Sequence, residues 1–146
     1  MPARPDRGVD AAQARRVWRQ TIWRLRKLRR WSQDRLALEL QAQGDRGGYR
    51  LSGRREHVKR TIQHWEAAET LPGDDYAAVL VLVFARLEEL KAGRLTPGSE
   101  LARLMGAFAA IGYDADRRGF LLSAAALAAT GRDSFAADAM LAGGSW

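Results

Sequence analysis

From Asp10 onward, Val17, Trp18, Thr21, Ile22, Leu25 and Leu28 recur at three- to four-residue spacing. That period belongs to a helix with one buried face. It predicts a first helix capped by Asp10 and running to about Arg30, with Arg15, Arg16, Arg19, Arg26, Arg29 and Arg30 on its other face. Ser32 then has N-cap chemistry, because its hydroxyl can accept from a free amide of the next turn. The stretch "QDRLALELQAQ" predicts a second helix that buries Leu36, Ala37 and Leu40 and ends at Gly44. "GDRGGYRLSGRRE" is glycine-rich, basic and turn-forming. A third helix over about residues 57–68 turns Ile62 and Trp65 inward and leaves Lys59, Arg60, Gln63 and His64 on one outer side. Pro72 marks a break.

Asp74 or Asp75 is expected to cap a helix through "YAAVLVLVFARLEELKAG", with Tyr76, Val79, Leu80, Val83, Leu87 and Leu90 sharing a face. The valine run has strand character, but the cap, the Glu/Lys end and Gly93 favour helix. Ser99 opens "ELARLMGAFAAIG", with Leu101, Leu104, Met105, Phe108 and Ile111 on one side. Asp114 caps "ADRRGFLLSAAALAAT", and "DSFAADAML" adds a last short helix. No segment reads as a convincing strand, and no internal repeat is present. The expectation is an all-α chain with a disordered basic arm over residues 1–9, a first domain over 10–95 and a helical region over 96–146.

Composition narrows what such a chain can do. The 146 residues suffice for one ordinary domain with a helical appendage. There is no cysteine, so disulfides, thiolate metal sites and thiol nucleophiles are excluded. His57 and His64 have no cluster of carboxylates beside them, so no metal site is expected. No carboxylate pair, phosphate-cradling glycine loop or nucleophile with a base emerges, and the chain reads as a non-enzyme with no cofactor. The first residues lack the apolar core of a signal peptide, and no run reaches the roughly 18 apolar residues of a membrane span. A cytoplasmic location follows as the expectation. "DRRGFLLSAAALAA" resembles a twin-arginine export signal, but it follows a folded domain and reads as an apolar core or interface helix.

Charge changes the picture most. The formal net charge is +7, and residues 1–72 hold 17 Lys/Arg against 8 Asp/Glu, whereas residues 73–146 hold 7 against 9. An arginine-rich genome would explain why Arg outnumbers Lys 21 to 3. It would not explain why the positive excess is confined to one half. Such one-sidedness suits a polyanion-binding module joined to something with another task.

The order of helix, Ser-Gln-led helix, helix ending in Trp-Glu, then Pro and another helix resembles the lambda-repressor-like, XRE-type helix-turn-helix family. The residues that carry the likeness are Leu25 and Arg26, "WSQDRLALEL", "TIQHWE" and Pro72. Residues 20–72 match well. More loosely, "DYAAVLVLVFA", "TPGSELARLMGAFAAIG" and "DADRRGFLLSAAALAA" resemble stretches of large actinobacterial regulators of this family, which continue into a helical-repeat region that this chain stops before. The resemblance implies a nucleoid-associated transcription regulator that binds double-stranded DNA, laying its third helix in the major groove while the second braces on the backbone. By the family pattern Lys59, Arg60, Gln63 and His64 face bases, where Arg or Lys can pair with guanine and Gln with adenine. Gln33 falls where the family places a phosphate contact. Arg26, seven residues before Gln33, would pair with Glu66.

Each role has a plainer alternative. Lys59 and Arg60 could form a solvated face, Gln33 could serve only as a capping residue, and His64 could be an ordinary surface histidine. The family joins its two motif helices by a short turn, whereas Ala37 and Ile62 lie 25 positions apart here. The extra residues carry Arg46, Arg50, Arg54 and Arg55. Either the loop reaches the DNA backbone, with Arg54 and Arg55 on phosphates, or the third helix gains a turn from near Ser52. The near-neutral helices after Ser99 suit dimerisation or a protein partner, and a homodimer reading half-sites about 10 bp apart is expected. The competing function is an antitoxin-like or adaptor protein that uses the same fold mainly to bind another protein.

Overall fold

The computed structural model describes residues 7–49, 51 and 53–129. Among them there are seven helices and no strand: α1 Arg7–Leu28, α2 Gln33–Gly47, α3 Arg55–Glu66, α4 Asp74–Phe84, α5 Leu87–Ala92, α6 Glu100–Ala110 and α7 over residues 115–129. The all-α expectation holds for these residues. The segment "DSFAADAML" and residues 1–6 of the expected arm lie outside them.

The core forms where α1 packs on α3 and α6, and where α2 packs on α3 and α4. Trp18 of α1 is fully buried at its centre. It meets Trp65 of α3 edge-on with ring centroids 5.6 Å apart, and stacks on Phe108 of α6 at the same separation. Phe108 in turn stacks on Tyr113 at 5.1 Å. Val58, Ile62 and Trp65 recur at helical spacing on α3 and are wholly enclosed. Burial of an apolar side chain of this size stabilises the fold by about 1.5–3 kcal/mol, so these three side chains dominate the energetics that hold α3 in place. The indole N–H groups of Trp18 and Trp65 find no acceptor there, so packing alone retains them.

Several boundaries differ from the expectation. α1 begins at Arg7, so residues 7–9 belong to the helix, and Asp10 sits in its first turn rather than capping it. A carboxylate there still complements the positive end of the helix dipole. α1 stops at Leu28 because Arg30 turns into the left-handed region at φ 57°. The amides of Arg30 and Trp31 then bond back to the carbonyls of Lys27 and Arg26 at 3.0 Å each, closing the last turn. Gly44 does not end α2. It is buried, with space for Leu51 against it, and the helix continues to Gly47. Gly48 takes the left-handed cap at φ 78°, a conformation that glycine adopts without penalty.

The predicted long helix after Pro72 is two helices. Gly73, not Asp74 or Asp75, occupies the N-cap of α4, and the chain is extended at Ala85 and Arg86 before α5. The break turns Leu87 outward, so it leaves the apolar face expected of it. Leu28 is also exposed, since α1 ends there without a neighbour to cover it. The predicted face of α6 is buried from Leu101 to Ile111, and the expected caps at Ser32, Ser99 and Asp114 are made. Leu121 and Ala125 of α7 are buried in the common core, as expected of an apolar core helix.

A buried carboxylate organises the link from α5 to α6. Glu89 accepts from the amides of Arg86 and Thr96 at 3.3 and 2.9 Å and from the Ser99 hydroxyl at 2.8 Å. Burial works to raise its pKa, but these hydrogen bonds and the Arg86 charge outweigh that and hold the carboxyl below its usual range. Among the described residues no helix is long and apolar enough to cross a membrane.

Candidate functional site

Two local devices decide how α3 is presented. Its apolar stripe sinks into α1 and α2, and its far end is fixed by Arg26 and Glu66. Arg26 Nε donates to Glu66 Oε2 at 2.9 Å and Nη2 to Oε1 at 2.6 Å, while Nη1 reaches the Trp31 carbonyl at 3.0 Å. Both side chains are 9% exposed. The planar guanidinium matches the carboxylate through two parallel bonds, so the rotation of α3 about its axis is tied to the end of α1. The pairing expected for these residues is therefore made.

With that rotation set, Arg60, Gln63 and His64 stand exposed on the side of α3 away from Ile62. Among the described residues Arg60 and Gln63 have no side-chain partner, so their donors and acceptors are available to a ligand. His64 is engaged: its Nδ1 lies 2.7 Å from Glu69 Oε2. Ala68, at φ 60°, ends the helix and swings Glu69 back to reach it. Lys59 is half-buried and departs from the outer trio, because its Nζ bridges to Asp34 Oδ2 of α2 at 3.2 Å. A ligand would have to share or displace the Glu69 contact and the Asp34 ion pair.

The start of α2 lies beside Lys59. Ser32 Oγ accepts from the Arg35 amide at 3.0 Å, which leaves the amides of Gln33 and Asp34 without an intrahelical acceptor. Gln33 is half-buried at the first helical position. An open depression joins this helix end to Lys27, Arg30 and Lys59, with the Asp34 carboxylate that Lys59 holds also on its lining. Free amides, a helix dipole and cations around one hollow suit an anion such as a phosphate.

Arg54 and Arg55 are exposed at the opposite end of α3, and neither has an ion-pair partner among the described residues. Arg54 is the extended N-cap residue and offers no side-chain cap. Cations at a helix N-terminus oppose the dipole, so no contact among the described residues accounts for two of them there. The residues separating Ala37 from Ile62 do not lengthen α3, which starts at Arg55 rather than near Ser52. They extend α2 to Gly47 and form a short connection, where Tyr49 lies against Gly47 and Leu51 against Gly44. Arg50 lies outside the described residues.

Other contacts were not legible from spacing. Arg29 does not lie on a solvated face. Its guanidinium grips Glu100 of α6 through bonds of 2.8 and 2.7 Å and sits over the rings of Trp31 and Phe84. Only the helical register of Arg29, three residues past Arg26, hinted that it could reach a neighbour. Comparison with protein-family models, curated proteins and solved structures found no match for this chain.

Proposed function

We propose that this chain is a sequence-specific DNA-binding transcription regulator with a lambda-repressor-like helix-turn-helix, in which α2 braces on the DNA backbone and α3 enters the major groove. One observation carries the reading. Arg60 and Gln63 stand exposed on α3 and unpartnered among the described residues, and Lys59 of the same helix lines the hollow at the α2 N-terminus with its free amides and neighbouring cations. Arg60 would read guanine and Gln63 adenine by paired hydrogen bonds. Gln33, the α2 amides, Arg54 and Arg55 would hold phosphates and set the register. His64 would contribute once released from Glu69, and Lys59 by exchanging Asp34 for a phosphate. The Arg26–Glu66 pair supports the same assignment, since it holds α3 in the orientation this requires. The work proposed for the chain is binding, at the nucleoid, rather than catalysis.

A second copy of the chain would complete a specific site, because one small motif reads too few base pairs. Phe120 and Leu127 of α7 favour a protein contact there, at 67% and 74% exposed. That same observation would serve an adaptor whose main ligand is a protein.

Binding to random-sequence duplex DNA over a range of salt separates the two readings. The three cations placed on phosphates, Arg54, Arg55 and Lys59, predict a fall of log K with log salt of slope about −3 or steeper. Weak, salt-insensitive binding would reject the DNA reading and leave the adaptor.

A further inference from the structure

The outer face of α1 carries a row of side chains that, Lys27 apart, the proposed interface does not use. Arg16, Arg19, Gln20, Trp23, Arg24 and Lys27 are all exposed. Trp23 is 48% exposed, with the Lys27 ammonium 5.7 Å from its ring centroid. Arg16 has only a neutral bond to Gln13 at 2.9 Å. Among the described residues none of these cations, nor Arg30 beyond them, forms an ion pair with a carboxylate. The spacing sets Arg16 beside Arg19 and Arg24 beside Lys27, each three residues apart on the helix surface. Like charges so placed repel by a few tenths of a kcal/mol per pair. No carboxylate among the described residues relieves that repulsion.

The row is also continuous with the candidate site. Lys27 lines both the depression at Gln33 and Lys59 and the shallow surface around Trp23, which extends in turn to Arg16 and Arg19. We propose that the outer face of α1 is a second nucleic-acid-binding track, which carries the DNA backbone onward from the α2–α3 face. The proposal rests on the DNA-binding reading. From Arg16 to Lys27 the track runs about 16 Å at the helical rise, several phosphate spacings of a duplex. Cations strung along a line suit a polyanionic backbone better than one acidic side chain. An exposed tryptophan among them fits as well, since its ring can lie on sugar while its N–H donates to phosphate. Such contacts add affinity without base preference. An acidic protein segment is the rival occupant.

The full chain is tested with the changes Arg16→Gln, Arg19→Gln and Arg24→Gln made together and singly, using random-sequence duplexes about two helical turns long. All three positions are exposed and glutamine is a good helix former. The triple variant is expected to lose about two to three from the salt slope, roughly 0.9 per lost phosphate contact, and each single change about one. The ratio of affinities for the preferred and random sequences should not move. Trp23→Phe should abolish part of the fluorescence change seen on DNA binding. Wild type that binds DNA steeply while the single and triple variants keep its slope would overturn the track and leave the α3 reading intact. Binding of polyglutamate that these changes abolish, with the DNA slope unaltered, would assign the face to an acidic protein instead. Wild type that fails to bind DNA would overturn both.

Discussion

Replacing Glu66 by Gln preserves the shape of that side chain and removes its charge. In the folded protein the carboxylate takes two short hydrogen bonds from Arg26, and each side chain is 9% exposed. Water can therefore do little to solvate whichever partner is left. Glu66→Gln keeps one acceptor for the guanidinium but strands its charge, and breaking a buried pair in this way costs about 3–5 kcal/mol. The low end, near 3 kcal/mol, is expected because the amide oxygen still accepts. For a chain of about this length each kcal/mol corresponds to roughly 2–4 °C in Tm, so the midpoint should fall by about 6–12 °C. Arg26→Met should cost at least as much, since the Trp31 carbonyl also loses its donor at 3.0 Å. In an Arg26→Met background, Glu66→Gln should do little more, because the charge it would strand is already gone. Urea and thermal melts of the four proteins give the coupling directly. If both single changes melt like wild type, or if their effects simply add, the pair is solvated and the orientation of α3 does not depend on it. The roles assigned to Arg60 and Gln63 would then lose their structural basis.

Arg60→Ala should cost about 1–3 kcal/mol of binding and relax preference at one position of the site, whereas Arg54→Ala or Arg55→Ala should weaken all sequences alike; competition binding with a randomised duplex pool distinguishes these patterns. Because the Glu89 carboxyl is held below its usual value of 4.5, its contribution to stability is complete above that pH and is lost as pH falls through the lowered folded-state value. Glu89→Gln should therefore destabilise at neutral pH by about 2 kcal/mol, from one lost charged hydrogen bond, and flatten the acid limb of a pH–stability profile. Phe120→Asp with Leu127→Asp should shift a dimer towards monomer in sedimentation without lowering the melting point of the monomer, and a wild-type monomer at tens of micromolar on and off DNA would reject dimerisation. Ala68→Gly should raise stability by up to about 1 kcal/mol, since Ala68 sits at φ 60° where a β-carbon is disfavoured; an unchanged or lower melting point would show that its side chain contributes more than the strain.

The sequence by itself determined the helices whose apolar period was strong and whose caps were local. Trp18, Ile22 and Leu25, then Val58, Ile62 and Trp65, then Leu101, Leu104 and Phe108 are buried, and helical spacing alone places each trio on one face. Ser32, Ser99 and Asp114 cap helices because a side-chain oxygen three residues from a free amide needs no distant partner. Exposure of Arg60, Gln63 and His64 follows from the same wheel, being opposite Ile62. The Arg26–Glu66 pair joins residues 40 positions apart; only a family resemblance anticipated it, since no periodicity links those two residues. Tertiary structure alone decided the rest. α2 runs past Gly44 because that glycine lies close against Leu51 and Tyr49, and a buried helical turn outweighs the modest cost of glycine within it. The chain breaks at Ala85 and Arg86 although its residues favour helix, and Glu89 then gathers donors from Arg86, Thr96 and Ser99. Lys59 turned to Asp34, His64 to Glu69 and Arg29 to Glu100. A long charged side chain can swing to whichever opposite charge packing brings within reach, so its partner is set by the assembled surface and not by its place along the chain.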